Sequence, residues 1–588
     1  MNKKLKNINH ECNFCVVGGG IAGMCAAIAA ARHGLKVVIM HDRPMYGGNA
    51  SSEVRMWISG ARGDNNRETG ILEEISLENM YRNPYRGYPV WDSILFEFIK
   101  NEENIVSLLN CTCNDCQMDG EKIVTVTGWQ MTTQTYHTVS AKFFSDCSGD
   151  SILAPLSGAK YFMGREERER YNESIAPITA DKKTMGHSCL IQARETNEKR
   201  EFIPPEWAYK FTKEELKNRY SGIKDPGENF WYLEIGGTRD TIADTEEIRD
   251  ELLSIAYGIW DYIKNSGECD ADNWELDWVG YLPGKRESRR YIGEYIMNQN
   301  DIEGGGKFED TVAYGGWSMD DHNPDGIFSS ELPTIYHPAP SPFGIPYRSL
   351  YSKNISNLFF AGRNISVTHS ALSATRVMGT CATIGQAVGT AAWIAVTHKL
   401  LPHEVYQNKL ELLKQTLMED DCYLPGNKMK MSEIIENSEI KTNGVNGEKL
   451  RNGVDRKVGN EENCWRGKLG SFIEIKFDKS EDVKEIKIVL DSDLNRKTIG
   501  GGDHLVTRDT VSNIPLGLKP IHLPTTLVKD IKIEFLSEKG EWEEELNIKD
   551  NRKRVLKCFV DKKCSGVRIT PVSSYGDHEV NIFSINIK

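Results

Sequence analysis

The rhythm of hydrophobic and polar positions changes once along this chain. An apolar run at 13–17 meets the segment GGGIAG, an Ala-rich stretch at 24–33 ends at Gly34, and a second apolar run follows at 37–40. This order predicts strand, Gly-rich turn, helix, C-cap glycine and strand, one βαβ unit. From about 76 to 353 the patterns mix, with helices expected at 91–101 and 246–263 and strands at 122–127 and 138–144. Phe359 and Phe360 close a further strand, and a long helix of small residues is expected to run to about 396. After about 420 the apolar alternation becomes short and frequent, at 472–477, 484–490, 527–535, 555–560 and 567–570. Short strands at that spacing, separated by polar turns, predict an all-β sandwich.

Composition narrows the class. A chain of 588 residues is too long for one core, so two to four domains are expected. The formal charge of −13 opposes nucleic-acid binding, which needs clustered cations. The residues before the first strand are basic but lack an apolar core, so no secretory signal is expected. No run reaches the roughly 18 apolar residues of a membrane span. Fourteen scattered cysteines fit a reducing, cytoplasmic setting rather than a disulfide framework.

The most informative local motif is Gly18, Gly20 and Gly23, between a strand and a helix. Gly18 permits the tight turn, Gly20 lets a pyrophosphate approach the backbone, and Gly23 lets helix and strand pack closely. The helix start adds unpaired N–H groups and a favourable dipole. The second strand should end in a ribose ligand. Strand-end alignment offers His41, with Asp42 next; either fits, and Arg43 follows them.

Further blocks occur in order: GGNASSEVRMWISGA (47–61), RETGILEEI (67–75), DCSGDS (146–151), MGRE (163–166), LPGKRESRR (282–290), AYGGWSMDDH (313–322), IPYRSLYS (345–352) and NLFFAGRNISVTHSALSATRVMGTCATIGQAVGTAA (357–392). With the Gly-rich turn, these resemble the bacterial FAD-dependent oxidoreductase family, of the glutathione-reductase-type FAD-binding fold and loosely related to fumarate reductase flavoproteins. The resemblance implies FAD as cofactor. It implies cofactor contacts at Gly48, Asn49, Ser51, Ser52 and Arg55, at Gly149 and Asp150, and at Gly362. Such flavoproteins follow that glycine with an acid; here Arg363 stands instead, leaving the ribityl contact to Arg363 or Asn364. The helix after Met378, with Gly379 in its first turn, is expected to aim its N-terminus at the flavin. No second Gly-rich unit for a nicotinamide cofactor is present.

The implied fold is α/β. A Rossmann-like FAD-binding domain spans 1–430, with cofactor segments at about 12–75, 140–165 and 355–400 and an inserted α+β substrate domain at about 165–350. An all-β sandwich follows at 431–588; its NGVDRKVGNEENCWRGK start, its Trp and its paired strands resemble discoidin-like domains, which often bind carbohydrate.

Catalysis needs a proton carrier and cations for substrate oxygens. His322 and His369 are candidates for the first, Arg286, Arg376 and Arg55 for the second, with Trp57 and Trp317 as pocket walls. KRESRR also reads as a salt-bridged surface, and either histidine as a structural hydrogen-bonding group. Cys111, Cys113 and Cys116 lack a fourth partner, so no metal is expected. The expected function is hydride transfer between flavin N5 and a small polar substrate, a sugar or sugar-derived acid. The rivals are a reductase of an activated alkene acid and a carbohydrate-binding protein with structural FAD. Expected partners are that small molecule, possible carbohydrate included, and an electron donor or acceptor. Nucleic acid is not expected, and a homo-oligomer remains open.

Overall fold

The computed structural model describes residues 5–217, 219, 223, 227–500 and 508–588. The chain forms two compact units, and the division is not a single cut. Residues 1–62, 85–414 and 508–519 make one unit; residues 63–84, 415–507 and 520–588 make the other.

The first unit is built on β1 (Lys6–Val17), α1 (Ile21–Arg32), β2 (Val37–Met40), β3 (Ile105–Leu108), β4 (Cys111–Asp119), β5 (Lys122–Gln130) and β6 (Thr135–Asp146), joined late in the chain by β7 (Leu358–Phe360). The order β3-β2-β1-β6 is parallel, and β7 extends it by pairing with the last three residues of β6. The first half of β6 instead pairs antiparallel with β5, and β5 with β4. β1 is longer than the apolar run at 13–17 suggested. Its first half, KNINHEC, is largely exposed or half-buried and carries no hydrophobic signal, yet it pairs with β6 throughout. The CTCNDC segment lies within β4.

The long helix of small residues divides in two, α2 (His369–Thr375) and α3 (Met378–His398). α3 packs on α1 closely enough that a Cβ at Gly385 would lie 2.1 Å from the Ala22 carbonyl oxygen, and one at Gly389 2.2 Å from that of Ala26. Only glycine permits this separation, and since both contacts advance by four residues the two helices run in the same direction.

Between β6 and β7 lie short two- and three-stranded sheets around the amphipathic helix Thr245–Asn265. That helix buries Ile248, Leu252, Ile255, Ile259 and Ile263 against Trp274, Phe230 and Leu233.

The second unit is all-β apart from short helical segments and the helix Ile71–Arg82. The two runs at 472–477 and 484–490 are halves of one strand, Ile473–Leu490, and those at 555–560 and 567–570 are halves of another, Val555–Ser574. Each half has different outer neighbours. Ile473–Lys476 pairs with Glu439–Thr442, whereas Ile486–Leu490 pairs with the strand Glu579–Ile587. Register shifts between Lys476 and Glu481 and between Val483 and Glu485 mark the bend. The long strands therefore turn a corner and serve two layers, the sandwich device of strands that switch sheets at bulges. Ile473, Ile475, Ile488, Ile533, Val567, Ile569 and Ile585 fill the core. The helix Ile71–Arg82 belongs here through Glu73, which accepts from Ser492 at 2.7 Å and pairs with buried Arg496.

No helix among the described residues is long and apolar enough to cross a membrane.

Candidate functional site

A cavity of about 890 Å³ runs through the first unit. One end is lined by Gly18, Gly19, Gly20, Gly47, Gly48 and Asn49, with His41, Asp42 and Arg43. The β1–α1 turn is held by its own backbone. Gly18 donates to the Met40 carbonyl at 2.8 Å, at a φ of +106° that favours glycine, and a Cβ there would lie 2.3 Å from the Cys147 carbonyl oxygen. Gly23 does not line the cavity; it packs so closely that a Cβ would meet the Gly18 carbonyl oxygen at 1.9 Å. Gly20 differs from both. A Cβ there would find its nearest protein atom 3.9 Å away, in the direction of Gly48, so nothing in the chain itself demands a glycine at this position.

His41 is committed to the turn. The Gly19 N–H donates to Nδ1 at 3.0 Å, and Nε2 donates to the Met45 carbonyl at 3.1 Å. Asp42 is exposed on the cavity wall. Burial would raise its carboxyl, but the charges around it, Arg43 at 3.6 Å among them, outweigh this and lower it. Of the two expected ribose ligands, Asp42 keeps acceptor atoms at the cavity.

Gly149, Asp150, Gly362 and Arg363 also face the cavity, close to the glycine turn: a Cβ at Gly362 would lie 3.6 Å from Ala22. Asp150 accepts from Arg363 at 2.6 Å, Lys285 at 2.8 Å and Ser288 at 2.8 Å. Burial alone would raise this carboxyl, yet Arg363 and Lys285 hold it well below the usual carboxylate range. The Arg363 guanidinium lies over Gly149, 2.4 Å from where a Cβ would stand. Asn364 is turned away, donating to the Asp146 backbone at 3.3 Å.

The far end alternates charge. Arg286 approaches Glu234 at 3.4 Å, Glu234 accepts from His322 Nδ1 at 2.6 Å, His322 Nε2 lies 3.3 Å from Asp320, and Asp320 accepts from Arg376 at 3.1 Å. Burial works against both carboxylates, but the cations and His322 dominate, so both lie below their ordinary values. Arg286 also donates to Ser188 at 2.9 Å and to the Trp231 carbonyl at 2.8 Å. Trp57, Trp231, Trp317 and Tyr336 complete the walls, with the Arg62 guanidinium 4.0 Å over Trp317.

Five other expected residues stand behind the walls. Ser51 donates to the Gly48 carbonyl at 2.8 Å, and the Ser52 N–H is bound to Asp92 at 3.1 Å. Arg55 stacks 4.3 Å over Trp278 and is bonded to Gln192. The Gly379 N–H donates to the Ser59 carbonyl at 2.8 Å, just inside cavity-lining Val377 and Met378. His369 is buried among carboxylates, with Nδ1 2.9 Å from Glu287 and Nε2 3.2 Å from Asp321. Burial would lower this ring, but Glu287 and Asp321 raise it to about 10. Since Glu287 follows Arg286, Asp321 sits between Asp320 and His322, and Arg376 directly follows α2, His369 ties together three segments that carry cavity groups.

Asp320, Lys285, Arg62 and Arg508 also line the cavity, and Glu234 stands buried behind His322 and Arg286; none of the five was singled out by sequence. Asp320 and Lys285 lie inside quoted motif blocks, a signal that was available. Glu234 and Arg508 carry none.

The family model described as FAD dependent oxidoreductase matches residues 13–417. No curated protein matches the chain. Among solved structures, the family 32 carbohydrate-binding module from Streptococcus pneumoniae EndoD is similar at 15% identity and a TM-score of 0.20, over 27% of this chain and 99% of that one. The family 32 module of C. perfringens NanJ, in complex with galactose, is similar at 10% identity and a TM-score of 0.18, over 27% and 97%. The residues present fit the cofactor that the family model names. Gly20 leaves open the space that a pyrophosphate would fill, a helix N-terminus adjoins it, and Arg363 adds a cation on the same cavity.

Proposed function

Because the chain belongs to the FAD dependent oxidoreductase family, we propose that its cavity holds FAD along the glycine-rich end and a small polar substrate at the arginine end, a sugar or sugar-derived acid. Bound FAD supplies a hydride donor or acceptor at N5. Gly18, Gly20, Gly48 and the start of α1 would take the pyrophosphate, Asp42 the adenosine ribose, and Arg363 the middle of the molecule. The observation that carries the reading is that one continuous cavity joins this cradle to the chain Arg286–Glu234–His322–Asp320–Arg376.

In that chain His322 is the proton carrier. Glu234 fixes Nδ1 at 2.6 Å, whereas the 3.3 Å contact of Nε2 with Asp320 is long enough to be exchanged for a substrate hydroxyl. Arg286 and Arg376 are each oriented by one carboxylate and hold substrate oxygens. The indole and phenol faces suit the apolar face of a sugar ring, and the cations suit an acid group. Reduction of an activated alkene acid is the second reading. Arg376, a cation on the cavity wall beside Val377 and Met378, favours it as a proton donor. Cytoplasmic residence belongs to the same proposal; fourteen cysteines scattered along the chain fit a reducing setting.

The test is an anaerobic visible spectrum of the purified protein titrated with sugars, polyols and sugar acids. Bleaching by one of them establishes oxidation of that class. A bound flavin that none of them bleaches, but that an unsaturated acid reoxidises after dithionite, establishes the second reading. Protein that stays colourless with added FAD refutes both.

A further inference from the structure

We propose that Arg508 is a substrate-binding residue that recognises the carboxylate of an acidic substrate, although it lies well beyond the 13–417 family match. The inference rests on the reading of the cavity given above and adds to it the residue that selects acids over neutral sugars.

Arg508 lines the same cavity as the glycine turn and the His322 chain. Its guanidinium lies 3.8 Å over the Trp57 ring and is bonded to the Gly227 carbonyl. Stacking sets the plane of the fork and the carbonyl sets its rotation, so little freedom is lost when an anion binds. Trp57 belongs to the cavity-lining run Met56, Trp57, Ser59 and Arg62, and the Ser59 carbonyl holds the first turn of α3. Arg508 therefore stands on a wall tied directly to the helix start expected to face the flavin.

The segment that carries Arg508 is anchored by hydrogen bonds to the first unit. Thr510 donates to the Tyr88 hydroxyl at 3.1 Å, and that hydroxyl donates to the Arg55 carbonyl at 2.7 Å. The Val511 N–H donates to the Arg86 carbonyl at 3.2 Å. Asn513 accepts from the Ala193 N–H at 3.1 Å, and the Ile514 backbone exchanges bonds of 2.9 Å with Ala193 and Glu195. Residues 508–519 thus sort with the first unit, although the chain on both sides of them sorts with the second. A chain excursion of this kind, ending on a cavity wall in a fixed cation, adds a recognition group from outside the family match.

The experiment uses the full-length, FAD-loaded protein. D-glucuronate, succinate and benzoate, with D-glucose as the neutral control, are titrated against the visible spectrum of the bound flavin, for the native chain and for R508A, R508Q and R508K. Loss of one charge-assisted contact should weaken the acids about tenfold or more in R508A and R508Q, leaving the response to D-glucose unchanged. R508K, which keeps the charge but loses the fork, should fall between. Flavin content and melting temperature are read alongside; if R508A loses its flavin, R508Q and R508K decide. Acids that bind these variants as tightly as the native chain overturn the assignment of Arg508 alone. A native chain that responds to no acid overturns the acid-binding reading and this inference with it.

Discussion

Gly20→Ala separates a fold requirement from a ligand requirement. In the protein a methyl group at this position has 3.9 Å to its nearest neighbour and an ordinary extended backbone, φ −66° and ψ 176°. Alanine is a poorer N-cap than glycine by some tenths to about 1 kcal/mol, and the stiffer unfolded chain returns about 0.4–1 kcal/mol. Folding stability should therefore change by less than about 1 kcal/mol, a shift of a few degrees at most in a chain this long. Cofactor affinity should respond otherwise. If the pyrophosphate occupies that open space, the methyl group displaces at least one charge-assisted hydrogen bond, about 1.5–3 kcal/mol, so Kd should rise roughly 10- to 150-fold. Gly18→Ala is the contrast. Its methyl group would stand 2.3 Å from a backbone oxygen at a positive φ, so that variant should lose stability before cofactor binding can be measured. The assay is FAD fluorescence quenching on the apoprotein, beside thermal melts of all three proteins. A G20A protein that binds FAD like the native chain would refute the assignment of this space to pyrophosphate. A G20A protein that melts as early as G18A would refute the packing argument itself.

Asp42→Ala should weaken FAD about tenfold with little change in melting temperature, whereas His41→Ala, which removes both bonds that brace the turn, should lower the melting temperature as well; equal FAD affinity in D42A would return the ribose role to another group. His369 gives a pH signature. Its folded value of about 10 stands above its ordinary 6.5, so its stabilising contribution is complete below about pH 6.5 and is lost as pH rises through about 10. Over that window native stability should fall by up to about 1.4 kcal/mol per pH unit from this group, and His369→Gln should flatten the slope in denaturant melts recorded between pH 7 and 10.

The glycine turn was readable because each of its requirements lies within a few residues: a strand end, a positive φ and a helix start. The Asp150 cluster was not, since its cations come from Lys285 and Arg363, which are 135 and 213 positions away. His369 stood out in its motif as a candidate proton carrier, but a histidine in a motif does not reveal which way it faces. Here it turns from the cavity toward Glu287 and Asp321. In the second unit, hydrophobic alternation marked the halves of the two long strands accurately. The bulges that join them are polar stretches, KSED between 479 and 482 among them, which look like turns in sequence. Glu234 carried no signal because it depends on partners brought from 286 and 322 by chain folding.

The exchange of segments between units has a consequence for biosynthesis. A nascent chain released through its first 414 residues still lacks 508–519, which includes one wall residue of the cavity and the bonds to Arg86, Tyr88 and Ala193. At roughly 5–20 residues per second, a ribosome takes on the order of 5–20 seconds to cover that gap. During this interval the nucleotide-binding half has every glycine it needs but an open seam, so cofactor capture should be a late event in translation, and premature termination anywhere before residue 519 should leave an unfinished first unit for chaperones and proteases to find.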